Sequence, residues 1–117
     1  MAELTIQRLR FGQRLDQWHL AEARAAPALG PIQISITYVF ADVAVDLDNL
    51  AKPVLDALKG VVYEDDGQIT DVAIRKRNMA RDLRIVGPSP VLFDAFRRGR
   101  EFLYILVEEA PDQELMA

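Results

Sequence analysis

A chain of 117 residues with a net charge of −4, half of it hydrophobic and about a quarter charged, is expected to fold as a single domain spanning 1–117 around one core. It contains no cysteine and one histidine, which excludes disulfides, zinc–thiolate sites and cysteine nucleophiles and weighs against a histidine-rich metal site or a Ser-His-Asp triad. The acidic balance argues against a generally basic nucleic-acid binder. No segment approaches the roughly 20 apolar residues of a membrane span, and Met1 to Arg14 has no signal-peptide core, so a cytoplasmic protein without membrane contact is expected.

In chain order, Glu3 to Leu9 reads as a short strand. Gly12 to Ala26 reads as a helix with Leu15, Trp18, Ala21 and Ala25 at helical spacing and Pro27 and Gly30 as its stop. His19 lies beside Trp18 and reads as a flank histidine. Ile32 to Ala41 is the clearest strand, because Ile32, Ile34, Ile36, Tyr38 and Phe40 alternate with Gln33, Ser35 and Thr37. Asp48 or Asn49 is expected to cap a helix that runs to about Leu58 and ends at Gly60. Its apolar stripe is Leu50, Val54, Ala57, Leu58 and Val61, and Pro53 marks a late start or a bend.

Val61 to Tyr63 is read as extended and Glu64-Asp65-Asp66-Gly67 as a turn, with Gly67 available for a positive φ. Ile69 to Lys76 is the next strand, with Thr70, Val72 and Ile74 on one face. A loop over 78–88 leads to a short helix with Ser89 as N-cap and Pro90 in the first position, ended by Gly99. Phe102 to Val107, apolar on both faces, is the expected interior strand. The fold class expected is therefore α+β: a single mixed β-sheet of about four strands, two main helices packed on it, and a short helix before the last strand.

Carboxylates gather at two places. Asp46 and Asp48 flank the helix entrance, and Asp66, beside Asp65, lies in the turn. Oxygen donors of this kind select hard divalent cations. Lys52, one helical turn after Asp48, could neutralise charge on a phosphate. Carboxylates, a hard metal and a lysine are the minimal kit for metal-assisted phosphodiester hydrolysis. On spacing alone, Asp46-Leu47-Asp48-Asn49 is more usually helix capping and Asp65-Asp66-Gly67 an ordinary turn, and Lys52 with Asp56 reads as an exposed pair. The basic residues Arg75, Lys76, Arg77, Arg81, Arg84, Arg97, Arg98 and Arg100 cluster in one segment, a hint of a basic face or of charge compensation at a helix C-terminus.

Taken together, Asp46-Leu47-Asp48-Asn49, Lys52, Asp56-Ala57-Leu58, Gly60, Tyr63, Asp65-Asp66 and Gln68-Ile69 resemble the signature of the RusA family of Holliday-junction resolvases, crossover junction endodeoxyribonucleases common in prophages. The resemblance implies a RusA-like fold and a homodimer acting on branched DNA at four-way junctions in recombination and repair. It implies Mg²⁺ as cofactor, with Mn²⁺ as a substitute, Asp46, Asp48 and Asp66 as catalytic metal ligands, and Lys52 as the catalytic lysine on the phosphate. Arg75, Lys76 and Arg77 join Lys52 as expected DNA contacts. The family's proline-rich N-terminal pattern is absent from Glu3 to Gln13, and 41–45 carries no basic residue. Those departures and the acidic balance motivate an alternative: a non-catalytic RusA-like DNA- or protein-binding module of prophage origin.

Overall fold

The computed structural model describes residues 2–7, 19–20, 27–41 and 46–116. The strands are β1 (Ala2–Gln7), β2 (His19–Leu20), β3 (Ile32–Phe40), β4 (Ile69–Asn78) and β5 (Phe102–Glu109), and the α-helices are α1 (Leu47–Leu58) and α2 (Pro90–Arg97). They form one mixed sheet in the order β2-β1-β5-β3-β4. Among the described strands β3 and β4 are the parallel pair, as expected of strands joined by a helical crossover. The expected α+β architecture is borne out. Most of the helix expected over 12–26 lies outside the described residues. At the two residues of it that are described, His19 and Leu20, the backbone is strand and pairs with Gln7 and Ile6. The thin apolar face proposed for that helix was outweighed there by pairing with an open sheet edge.

Alternation along β3 divides the sheet into two unlike faces. Ile32, Ile34, Ile36 and Tyr38 all point to the first face and are buried with Leu4, Ile105 and Val107 under α1. α1 contributes Leu50, Val54 and Leu58 to this core. Ala57 is half-buried and Val61 is exposed, so the expected stripe stops at Leu58. Gly60 takes φ 82°, a conformation that suits glycine. After this bend Val62 and Tyr63, not Val61, turn inward and are 1 % and 0 % exposed. On the second face β3 presents Gln33, Ser35, Thr37 and Val39. Among the described elements α2 covers this face at its apolar end, Val39: Val39, Phe102 and Ala95 form a small second core with Leu92 and Phe96 of α2. Phe96 meets Phe102 edge to face, with centroids 5.1 Å apart.

Ser89 caps α2 as its sequence suggests, accepting from the Leu92 amide at 3.2 Å. Glu3 of β1 accepts from the hydroxyls of both Ser89 and Tyr104. Burial, then the hydrogen bond to Glu3 and its charge, push the Tyr104 phenol up to about 12. The folded state therefore holds this proton more tightly than the unfolded chain, whose tyrosines titrate near pH ~10. The stability it contributes is complete below that value and fades as pH rises through about 12. Titration of phenolate absorbance should show the late tyrosine ionisation coinciding with unfolding, and Glu3→Gln should bring it to lower pH. A wild-type phenol titrating near its ordinary value with the fold intact would contradict this.

Candidate functional site

The two carboxylate groups sit at opposite ends of α1. Asp46 is the N-cap, in extended conformation, and Asp48 lies in the first turn. This corrects the expected cap at Asp48 or Asn49. The Asp46 carbonyl accepts from the Asn49 amide at 3.0 Å, but its carboxylate makes no capping hydrogen bond. Both carboxylates are exposed, and neither has an ion-pair or hydrogen-bond partner among the described residues. They also lie where the helix dipole favours negative charge. The capping reading thus accounts for the backbone of Asp46 but leaves both side chains free for other work. α1 continues through Pro53 without interruption, so Pro53 leaves the Asn49 carbonyl without its helical donor.

Lys52 projects from the same helix and pairs with Asp56 at 3.4 Å. With side-chain exposures of 86 % and 56 %, this contact is weak and readily exchanged.

Asp66 opens a single 3-10 turn, Asp66–Gln68, that leads into β4. One of its oxygens accepts from the Tyr63 hydroxyl at 3.1 Å, and the other pairs with Lys59 at 3.5 Å. The same Tyr63 hydroxyl lies 2.7 Å from the Leu55 carbonyl. Burial, then the hydrogen bond and charge of Asp66, hold the Tyr63 phenol well above the usual tyrosine range. Tyr63 thereby ties Asp66 to the C-terminal half of α1. A rise of about 1.5 Å per residue puts Asp48 roughly 10 Å along the axis from Leu55. The cause is topological: α1 starts beyond one end of β3 and returns to the other, where Ala28 bridges to Tyr63 and β4 begins.

The turn itself is built by neighbours of Asp66. Asp65 caps it, accepting from the Gly67 amide at 3.0 Å. Gly67 does not take a positive φ, contrary to expectation. A Cβ there would lie 2.9 Å from an Asp65 carboxylate oxygen, so a side chain at 67 would push the capping carboxylate aside. Gln68 is the residue whose role the sequence did not disclose. Its side-chain oxygen accepts from the Glu64 and Asp65 amides, and its amide nitrogen donates to the Ala28 and Gly30 carbonyls at 3.0 and 2.8 Å. A glutamine three residues after an aspartate that caps a turn is the available signal, through the reciprocal capping box.

Of the basic residues, Arg75 and Arg77 lie opposite Thr37 and Val39 on the second sheet face, whereas Lys76 lies opposite Tyr38 on the first. Arg97 and Arg98 pair with Asp94 within α2 and its cap. The basic segment is thus divided between two faces and a helix end.

The donor types suit a hard divalent cation, but the described residues include no group of three or more histidine, aspartate or glutamate side chains gathered as a metal site. What one copy presents is a pair of unneutralised carboxylates and an exposed lysine near a helix N-terminus, with a third carboxylate held at the far end: a set of groups suited to phosphate-ester chemistry. The family model for Endodeoxyribonuclease RusA matches residues 10–86. The chain belongs to the RusA endodeoxyribonuclease family, whose members are nucleases of DNA, with Holliday junctions as the family-level substrate. No curated protein and no solved structure matches the chain. Among the described residues no helix is long and apolar enough to cross a membrane.

Proposed function

We propose that this protein is a Mg²⁺-dependent endonuclease, with Mn²⁺ as a substitute, that resolves four-way DNA junctions during recombination and repair in the cytoplasm, acting as a homodimer. The observation that carries this reading is that the family match spans the whole central stretch and that Asp46, Asp48, Lys52 and Asp66 all keep residue types capable of the chemistry. Asp46, Asp48 and Asp66 would hold the cation. When bound, such an ion supplies water activation and charge neutralisation at a phosphate. Lys52 would release Asp56 and place its ammonium on a phosphate oxygen, where developing charge gains most from it. Arg75, Lys76 and Arg77 would supply salt-sensitive attraction to the DNA backbone.

The separation of Asp66 from Asp48 supports the dimeric form of this reading. Three carboxylates can share one ion without unwinding α1 or breaking the Tyr63 anchor if the partner's Asp66 faces Asp46 and Asp48. A two-fold enzyme then meets a two-fold substrate with two equivalent sites.

The test is incubation with a labelled synthetic four-way junction and a linear duplex, with and without Mg²⁺ or Mn²⁺, beside Asp66→Asn. Paired nicks in opposed strands of the junction are expected only with metal and the intact aspartate. Cleavage by Asp66→Asn, or none by the wild type, overturns the reading. The alternative, a non-catalytic module of prophage origin, is favoured by the acidic charge balance. It predicts junction or partner binding indifferent to Asp46→Asn.

A further inference from the structure

On the second sheet face, between β3, β4, α2 and the 79–88 loop, lies an open cleft of about 570 Å³, within the range of small-ligand sites (about 300–1,000 Å³). Its origin is the polarity of β3. Ser35 and Thr37 give α2 nothing to pack on, so the helix covers only the Val39 end. Its wall combines two chemistries. Among the described residues Leu83, Ile85, Leu92 and Phe96 are apolar, while Arg75, Arg77 and Arg84 bring three guanidinium groups against one acid, Asp82. Arg75 donates to Ser35 and Thr37 hydroxyls at 2.8 and 3.3 Å, and Arg77 to the Lys76 carbonyl at 2.8 Å. None of the three arginines has a carboxylate partner among the described residues. On the rim Ile85 and Val86 are 39 % and 97 % exposed.

Unneutralised guanidinium groups beside an apolar wall call for a ligand that is anionic at one end and flat and apolar at the other. A duplex backbone satisfies the arginines alone, because its bases stay stacked inside the helix. An unpaired nucleotide satisfies both, with its phosphate on the arginines and its base on the wall, where base stacking is worth about tenfold or more in affinity. We propose that this cleft binds one unpaired nucleotide of the DNA, such as a base unstacked at a branch point, and so helps select branched over continuous duplex. The proposal rests on the reading of DNA as substrate.

The experiment uses the full chain in EDTA, so that cleavage plays no part. Binding of a short labelled oligothymidylate is compared by anisotropy with an abasic oligonucleotide of equal length and charge. The wild type should bind the thymidylate about tenfold or more tightly. The rim variant Ile85→Ser/Val86→Ser, in a loop, should lose most of that difference, while Arg84→Ala should weaken both ligands alike and lower the salt slope by about one. Equal affinity for the two oligonucleotides, a difference that survives the rim variant, or a slope unchanged by Arg84→Ala each overturns the proposal. Circular dichroism of each variant guards against misfolding. A base-dependent difference without metal-dependent cleavage by the wild type sinks the nuclease reading and keeps the cleft. Cleavage without that difference does the reverse.

Discussion

Asp48→Asn and Asp66→Asn proteins, each inactive alone, are expected to regain metal-dependent nicking of a four-way junction when mixed under conditions that exchange subunits. If the partner's Asp66 completes the site, the mixed dimer contains one site with all its carboxylates and one lacking two. It should cut one strand and leave its opposite intact. If each copy builds its own site, both sites of the mixed dimer stay broken and mixing restores nothing. Each single variant should lose cleavage by about a thousandfold or more, since an amide neither carries the charge nor binds a hard cation as a carboxylate does. A readout independent of activity follows from the absence of cysteine. Asp48→Cys mixed with Asp66→Cys should form an interchain disulfide, because the only thiols present would be the engineered pair. Absence of both restored nicking and the cross-link would place the three carboxylates elsewhere.

The largest effect on stability is expected at Tyr63. Its side chain is fully buried, and its hydroxyl links the turn to α1 through Leu55 and Asp66. Tyr63→Ala should cost about 3–5 kcal/mol, the usual loss for a large buried aromatic. Tyr63→Phe keeps the ring and should cost about 1 kcal/mol, the usual worth of one hydroxyl hydrogen bond, because the turn loses its hydroxyl link while the Leu55 carbonyl still accepts from the Lys59 amide at 3.1 Å. Urea unfolding would show this as a lower midpoint at unchanged slope. Tyr63→Phe also separates structure from chemistry. Among the described residues it leaves Asp66 held to the end of α1 by the exposed Lys59 pair alone while keeping the fold, so cleavage should change more than its small stability loss accounts for. A phenylalanine variant as stable as the wild type would mean that the hydroxyl is satisfied equally well by water.

Much of the architecture was legible because burial follows period. The alternation of β3 identifies its buried face residue by residue, and the doubly apolar β5 proves to be an interior strand, paired with β1 and β3. The errors arise where backbone geometry, not polarity, decides. Asp46, Asp48 and Asn49 are all able caps, and only the first helical φ/ψ values select Asp46. Gly67 follows an aspartate pair as in a positive-φ turn, yet what a side chain there would meet is the capping Asp65 carboxylate. Val61 continues the helical stripe on paper, but Gly60 has already turned the chain. For the site, residue types were readable and their distribution was not. The strand-helix-strand order allows a parallel pair, but local spacing does not say that this crossover sends Asp46 and Asp66 to opposite ends of a helix.

The position of β5 has a consequence for how the chain reaches its fold. β1 pairs with β5 from Ala2↔Val107 to Gln7↔Phe102, and β3 pairs with β5 from Ile32↔Glu109 to Val39↔Phe102. The strand joining the two halves of the sheet is thus the last one made. Contacts so distant in sequence are slow to form, because the loop entropy is lost before the pairing compensates it. During synthesis β3, α1 and β4 can assemble as a local crossover, while β1 waits without its β5 neighbour. A chain halted before Phe102 therefore exposes two unpaired strand edges, the form most open to mispairing and aggregation.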